Sequence, residues 1–237
     1  MNTANVLAQL KGMGSPERAK NSMRFFKTGP GQYGEGDQFL GITVPEQRKV
    51  AKQHQQLPLG QVIKLLQSPY HEARLTALFI LVTQYRKGTP TDQQNIYQAY
   101  LANTAYINNW DLVDSSAEFI VGPQLGDNYQ AILTKLATSK DLWERRIAML
   151  ACFHTIKACN PKPAFEIIEL FKDDQHDLLQ KAVGWMLREI GKRCGRPVLQ
   201  AWLLKDKQYT KLPRTTLRYA IEHYSPMERK KFLAGTF

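Results

Sequence analysis

Along most of the chain, apolar positions recur at spacings of three and four residues, the period of a helix with one buried face. The run Asn109–Ile120 shows this in small, with Val113, Ala117 and Ile120 forming an apolar stripe. Read alone, it predicts a single capped helix, with Asp111 and Ser115 as caps and Trp110 in the core. Prolines at 58, 69, 90, 123, 161, 163, 197, 213 and 226 punctuate the pattern. The segments between them are about 12 to 18 residues long, a usual helix length. No run alternates with the period of two that a sheet requires. The pattern therefore predicts an all-α fold.

The amino-terminal part reads differently from the rest. Asn5–Leu10 is a short helix, and a second begins at Ser15, with Pro16 in its first turn, and runs to Lys27. Thr28–Asp37 carries four glycines in ten residues, too many for a helix or strand, and predicts a mobile loop centred on Tyr33. It lacks the Gly-Lys-Ser/Thr ending of a phosphate-binding loop and no strand precedes it, so nucleoside triphosphate binding is not expected. An edge contact to a ligand groove, through Tyr33 or Phe25, is the expectation instead. A helix over Glu46–Gln56 follows. The chain thus reads as one helical-repeat domain over 1–237, with amino-terminal helices in 1–57 and repeats in 58–237.

Within the repeats one phrase recurs at helix starts: His71-Glu72-Ala73-Arg74-Leu75, Trp143-Glu144-Arg145-Arg146-Ile147, Leu178-Leu179-Gln180-Lys181-Ala182 and Leu212-Pro213-Arg214-Thr215. With Asp114 set in register, the slots are 74, 114, 146, 181 and 214, separated by 40, 32, 35 and 33 residues. Helix pairs at that period predict an α-solenoid of HEAT type, whose equivalent positions line a curved, concave face.

Charge gives the row a meaning. Lys and Arg number 32 against 21 Asp and Glu, leaving +11, and the pI is near 9.6. Nucleic acid is the commonest polyanionic partner for such a chain. Arg74, Arg146, Lys181 and Arg214 would suit the phosphates of a duplex. Asp114 breaks the row: a carboxylate facing a polyanion is repelled, so it needs a reason. A salt bridge to Arg146 is one; a carboxylate placed to meet a cation formed during chemistry is the other. Trp110 lies one turn before Asp114, and Trp185 one turn after Lys181, with Gly184 allowing close backbone approach.

Other classes recede. No apolar run approaches the roughly 20 residues of a membrane span, and Met1–Asn5 has no secretory character. Cys152, Cys159 and Cys194 lack metal-ligand spacing, and the heptad between the first two suggests core positions. Reduced thiols, no metal and a cytoplasmic location are expected.

Trp110-Asp111-Leu112-Val113-Asp114, Trp143-Glu144-Arg145-Arg146, Gln180–Glu189 and Phe39-Leu40-Gly41-Ile42-Thr43-Val44-Pro45 with Arg48 closely resemble the AlkD-like DNA alkylation repair family, from about residue 15 to 225. The resemblance implies HEAT-like repeats around a basic groove for duplex DNA. It also implies excision of purines alkylated at N3 or N7, without a cofactor, by a monomer. Asp114 matches the catalytic carboxylate, Trp110 and Trp185 the tryptophans that contact deoxyribose and lesion, and Arg146 the arginine near the cleavage site. The expected DNA-binding set is Lys27, Arg48, Arg145, Lys181, Arg188, Arg214 and Arg218, with Phe25 where some members have tyrosine. Two other readings compete: a non-catalytic repeat protein that binds damaged or branched DNA, and a solenoid that binds peptides. The basic row disfavours the second.

Overall fold

A computed structural model of the chain describes residues 2–126 and 129–237, and its described residues form two compact units, 1–120 and 121–237. Among them there is no strand; a single parallel bridge joins Gln38 to Tyr70. The expected division after residue 57 runs through the first unit, because helices on either side of it pack together.

The first unit contains α1 (Thr3–Gly12), α2 (Pro16–Phe25), α3 (Val44–Gln53), α4 (Leu59–Leu66), α5 (His71–Lys87), α6 (Pro90–Leu101), α7 (Trp110–Asp114) and α8 (Ala117–Ile120). Thirteen of the 17 residues of α5 are buried, so it is enclosed on all sides rather than amphipathic. α1, α3, α4, α6, α7 and α8 all pack on it. Full burial of side chains such as Leu65, Leu78 and Ile80 contributes on the order of 2 kcal/mol each. Local chemistry sets the helix starts. Ser15 caps α2 ahead of Pro16, Thr43 and Glu46 form a capping box on α3, and Thr89 with Asp92 does the same for α6.

Residues 38–42 belong to no helix and are held from two sides. Glu72, buried at the start of α5, accepts from the amides of Leu40 (2.9 Å), Gly41 (2.7 Å) and Ile42 (3.3 Å). On the other side, Ser15 N donates to Leu40 O (2.8 Å) and Arg18 Nε to Gly41 O (2.7 Å). Gly41 has φ +79°, and a Cβ there would run into Ser15 O, so both backbone and space demand glycine.

The second unit contains α9 (Tyr129–Ala137), α10 (Leu142–Lys157), α11 (Lys162–Leu170), α12 (Asp177–Arg193), α13 (Arg196–Leu204), α14 (Gln208–Lys211), α15 (Arg214–Ala220) and α16 (Pro226–Ala234). α10 lies against α9, α11 and α12, and α12 lies against α10, α13 and α15. The recurring phrases open α5, α10, α12 and α15, so the period read from sequence is a period of helix pairs. The fold is an all-α helical repeat.

Several expectations need correction. Asn109–Ile120 is not one helix: α7 stops at Asp114 and α8 begins at Ala117. Ser116 Oγ bonds Leu112 O (2.6 Å) and the buried Tyr100 hydroxyl (2.9 Å), a side-chain competitor for the backbone ladder. Asn109, not Asp111, is the N-cap, its Oδ1 accepting from Trp110 N (2.9 Å), and Ser115 closes the carboxyl end. The close approach at Gly184 is made by α15: a Cβ there would meet Tyr219 Cβ at 2.5 Å and Thr216 O at 2.6 Å. Cys152 is buried, but Cys159 is exposed, because α10 ends at Lys157 and Cys159 turns with φ +54°.

Candidate nucleic-acid interface

An open cleft of about 630 Å³ lies in the first unit beside α3, α5 and the end of α7. Arg48 and Lys52 reach it from successive turns of α3, and Arg86 and Lys87 from the end of α5. The Arg48 guanidinium lies 4.0 Å over the Phe79 ring and that of Arg86 4.4 Å over Phe119. Stacking holds the two cations flat and leaves their N–H edges to an anion. Asp114, half-exposed, is the one acid among the described residues that line this cleft. Four of the lining residues are cations. The cleft can therefore bind phosphate while holding one negative group inside it.

Trp110 stands on the same face of α7, one turn earlier. Its ring stacks on Phe26 (centroids 5.4 Å, 21°) and meets the edge of Phe25 (6.0 Å, 72°). Phe25 is 65% exposed, which leaves a face of this aromatic group open to solvent. Lys27, with φ +52°, places its ammonium 5.9 Å over the Tyr33 ring.

Behind Trp110 lies a buried ionic network. His71 donates from Nδ1 to Asp37 (3.0 Å) and from Nε2 to Asp111 (2.8 Å). Its ring stacks on Phe39 (4.6 Å, 20°) and leans on Phe26 (4.7 Å). Asp37 also pairs with Arg74 and accepts from Asn109 Nδ2 (3.4 Å). Burial alone would lower the pKa of His71, but the Asp111 and Asp37 carboxylates outweigh it and raise it to about 9, so the ring is an imidazolium at neutral pH. For Asp37 burial likewise opposes the charge, and His71 and Arg74 overcome it, holding the carboxyl below its ordinary range.

This network overturns part of what the sequence predicts. Arg74 is not a phosphate contact: it is 3% exposed, paired with Asp37, and donates to the carbonyls of Ser68 and Pro69. The glycine-rich segment is folded back on itself. Gly29 N donates to Gln32 Oε1, Gly31 N to Glu35 Oε2 and Gly34 N to Lys27 O, and Tyr33 Oη reaches Phe25 O (3.5 Å).

In the second unit, Trp185 is half-buried on α12 and tilts against Phe153 (5.8 Å, 59°). Arg146 is buried and donates to Leu178 O (2.5 Å). Arg145 pairs with Asp174 (2.9 Å) and donates to the carbonyls of Ser139 and Lys140. Lys181 pairs with Asp177 (2.6 Å), and Arg188 with Glu222. Arg214 donates to Leu233 O (2.7 Å), and Arg218 is exposed on α15. Several of the expected DNA contacts are thus also caps or ion pairs of the fold.

Sequence reasoning gave no role to His71, Asp37 or Arg86. His71 stands in the recurring phrase, but its partners lie 34 and 40 residues away, and nothing local announces them. Among the described residues no three His, Cys, Asp or Glu side chains converge to hold a metal, and no helix is long and apolar enough to cross a membrane.

A family profile described as DNA alkylation repair enzyme matches residues 6–224. Among solved structures, a predicted DNA alkylation repair enzyme from Enterococcus faecalis superposes with a TM-score of 0.68 at 20% identity, covering 90% of this chain and 98% of that one. No curated protein matches the sequence.

Proposed function

The chain belongs to the DNA alkylation repair enzyme family, and from that we propose that it is a DNA glycosylase acting on purines alkylated at N3 or N7 in duplex DNA. The observation that carries the reading is Asp114: a half-exposed carboxylate, one turn from Trp110, in a cleft whose other charged lining residues are four cations.

Alkylation at N3 or N7 gives the purine a positive charge, so it leaves without help from a general acid. The C1′–N bond breaks, its electron pair neutralises the departing base, and the sugar becomes an oxocarbenium ion. Asp114 stabilises that cation and orients a water whose oxygen bonds C1′. The water's proton passes to the carboxylate and on to solvent. The products are free base and an abasic site. The Trp110 face adds cation–π attraction of about 0.5 to 2 kcal/mol. Arg48 and Arg86 bind backbone phosphates. In this reading the enzyme is a monomeric, metal-independent hydrolase of the cytoplasm.

The test is Asp114→Asn on a methylated duplex. Release of 7-methylguanine should fall by at least about 10²-fold, the scale of losing one charge-stabilising group, with duplex affinity retained. Unchanged release would remove the assignment; wild-type protein that binds the duplex and releases no base would leave the non-catalytic binder.

A further inference from the structure

The glycine-rich segment and the buried histidine have no part in the chemistry above, yet they meet directly behind it. We propose that His71 is a positioning residue: clamped between Asp37 and Asp111 and packed against the mutually stacked rings of Phe26 and Phe39, it ties residues 28–37 to the first turn of α7 and so sets where Trp110 and Asp114 stand. The role in catalysis rests on the glycosylase reading; the mechanical coupling does not.

Beyond its first turn, α7 is held by Leu112 and Val113, both fully buried, where it packs on α5. It is five residues long, too short to hold its own direction. Its first turn is fixed by three contacts. Asn109 caps it and reaches Asp37, Asp111 binds His71, and Trp110 stacks on Phe26. Two of these run to His71 or to a carboxylate that His71 holds, and the third runs to a ring packed against His71. The charged groups that face the imidazole are Asp37 from the glycine-rich segment and Asp111 from α7, with Arg74 on α5 sharing Asp37. Two carboxylates bound to one ring require both nitrogens to donate, so the clamp exists only while His71 is cationic. Removal of one proton leaves one carboxylate facing a bare lone pair. The part played by residues 28–37 is then to deliver Asp37 to the imidazolium.

The test uses the full chain and a methylated duplex. In the wild type, nitrogen-15 spectra of histidine should show both His71 nitrogens protonated at neutral pH, with a proton lost at a midpoint near 9. Trp110 emission, identified by comparison with Trp110→Phe, should shift at the same midpoint, and so should the single-turnover rate of base release. His71→Gln should abolish the emission shift and slow release about 10²-fold, the cost of misplacing a catalytic group by about 1 Å, with duplex affinity kept. Trp110 emission indifferent to the His71 titration would overturn the proposal, as would a folded His71→Gln with the wild-type rate and profile. Should His71→Gln fail to fold, the wild-type titration decides alone. Wild-type protein that releases no base would end the glycosylase reading, while the Trp110 signal still decides the coupling.

Discussion

Glu72 is 2% exposed, and three amides point at its two oxygens. Removing a buried carboxylate so surrounded strands three donors away from water. Glu72→Ala should lower the free energy of unfolding by about 3 kcal/mol, read as a lower urea midpoint at unchanged slope. Gly41→Ala should be costly for a different reason. The residue sits at φ +79° with Ser15 O where a methyl would go, so strain and collision add, and a loss of about 2 kcal/mol or more is expected by the same measurement. Neither residue announces this in sequence. Glu72 reads as an ordinary acid in a helix's first turn, and Gly41 as one glycine among many.

Helices were legible where their signals are local. Serine, threonine and proline at the starts of α2, α3, α6 and α16 mark those boundaries within a residue or two. The break between α7 and α8 was not legible, because a mid-helix serine is ambiguous until Tyr100 is seen to meet it. Gly184 signalled close approach, but only the packing names α15 as what approaches. Arg86 lay unnoticed at the end of α5, since its meaning depends on Phe119 beneath it. Arg86→Ala should weaken duplex binding and make its salt dependence shallower by about one unit of log–log slope, measured by titration at several salt concentrations. Arg86→Lys should restore only part of this, as an ammonium does not lie flat on a ring.

At the scale of the whole molecule, His71 links stability to pH. Its folded pKa, about 9, lies above the ordinary 6.5, so its contribution is complete below about 6.5, declines above that, and is lost as pH rises through about 9. Asp37 works in the opposite direction: its depressed value means stability present above its ordinary 3.8 and lost as pH falls through the depressed one. The melting temperature of the wild type should therefore fall on the alkaline side, and the gap between wild type and His71→Gln should narrow from about pH 6.5 to about 10. A gap that stays constant would mean the imidazolium contributes nothing. The contiguous motif around Trp110 and Asp114 was readable because its residues sit on adjacent turns. The row of cations was readable only as a list of charges. Burial separates Arg74, which braces Asp37, from Arg218, which faces solvent.

The segment 38–42 carries one more consequence. Its amides belong to no helix, yet Leu40, Gly41 and Ile42 donate to Glu72, and Gln38 O receives His71 N at 2.8 Å. In deuterium oxide, irregular backbone ordinarily exchanges its amide protons early. Here Gly41 and Ile42 should hold theirs as long as the middle of α5 does, because the carboxylate must let go before either can exchange. Those two amides would thus serve as a slow clock inside an apparently loose stretch, reporting by mass spectrometry or NMR whether the first unit is closed.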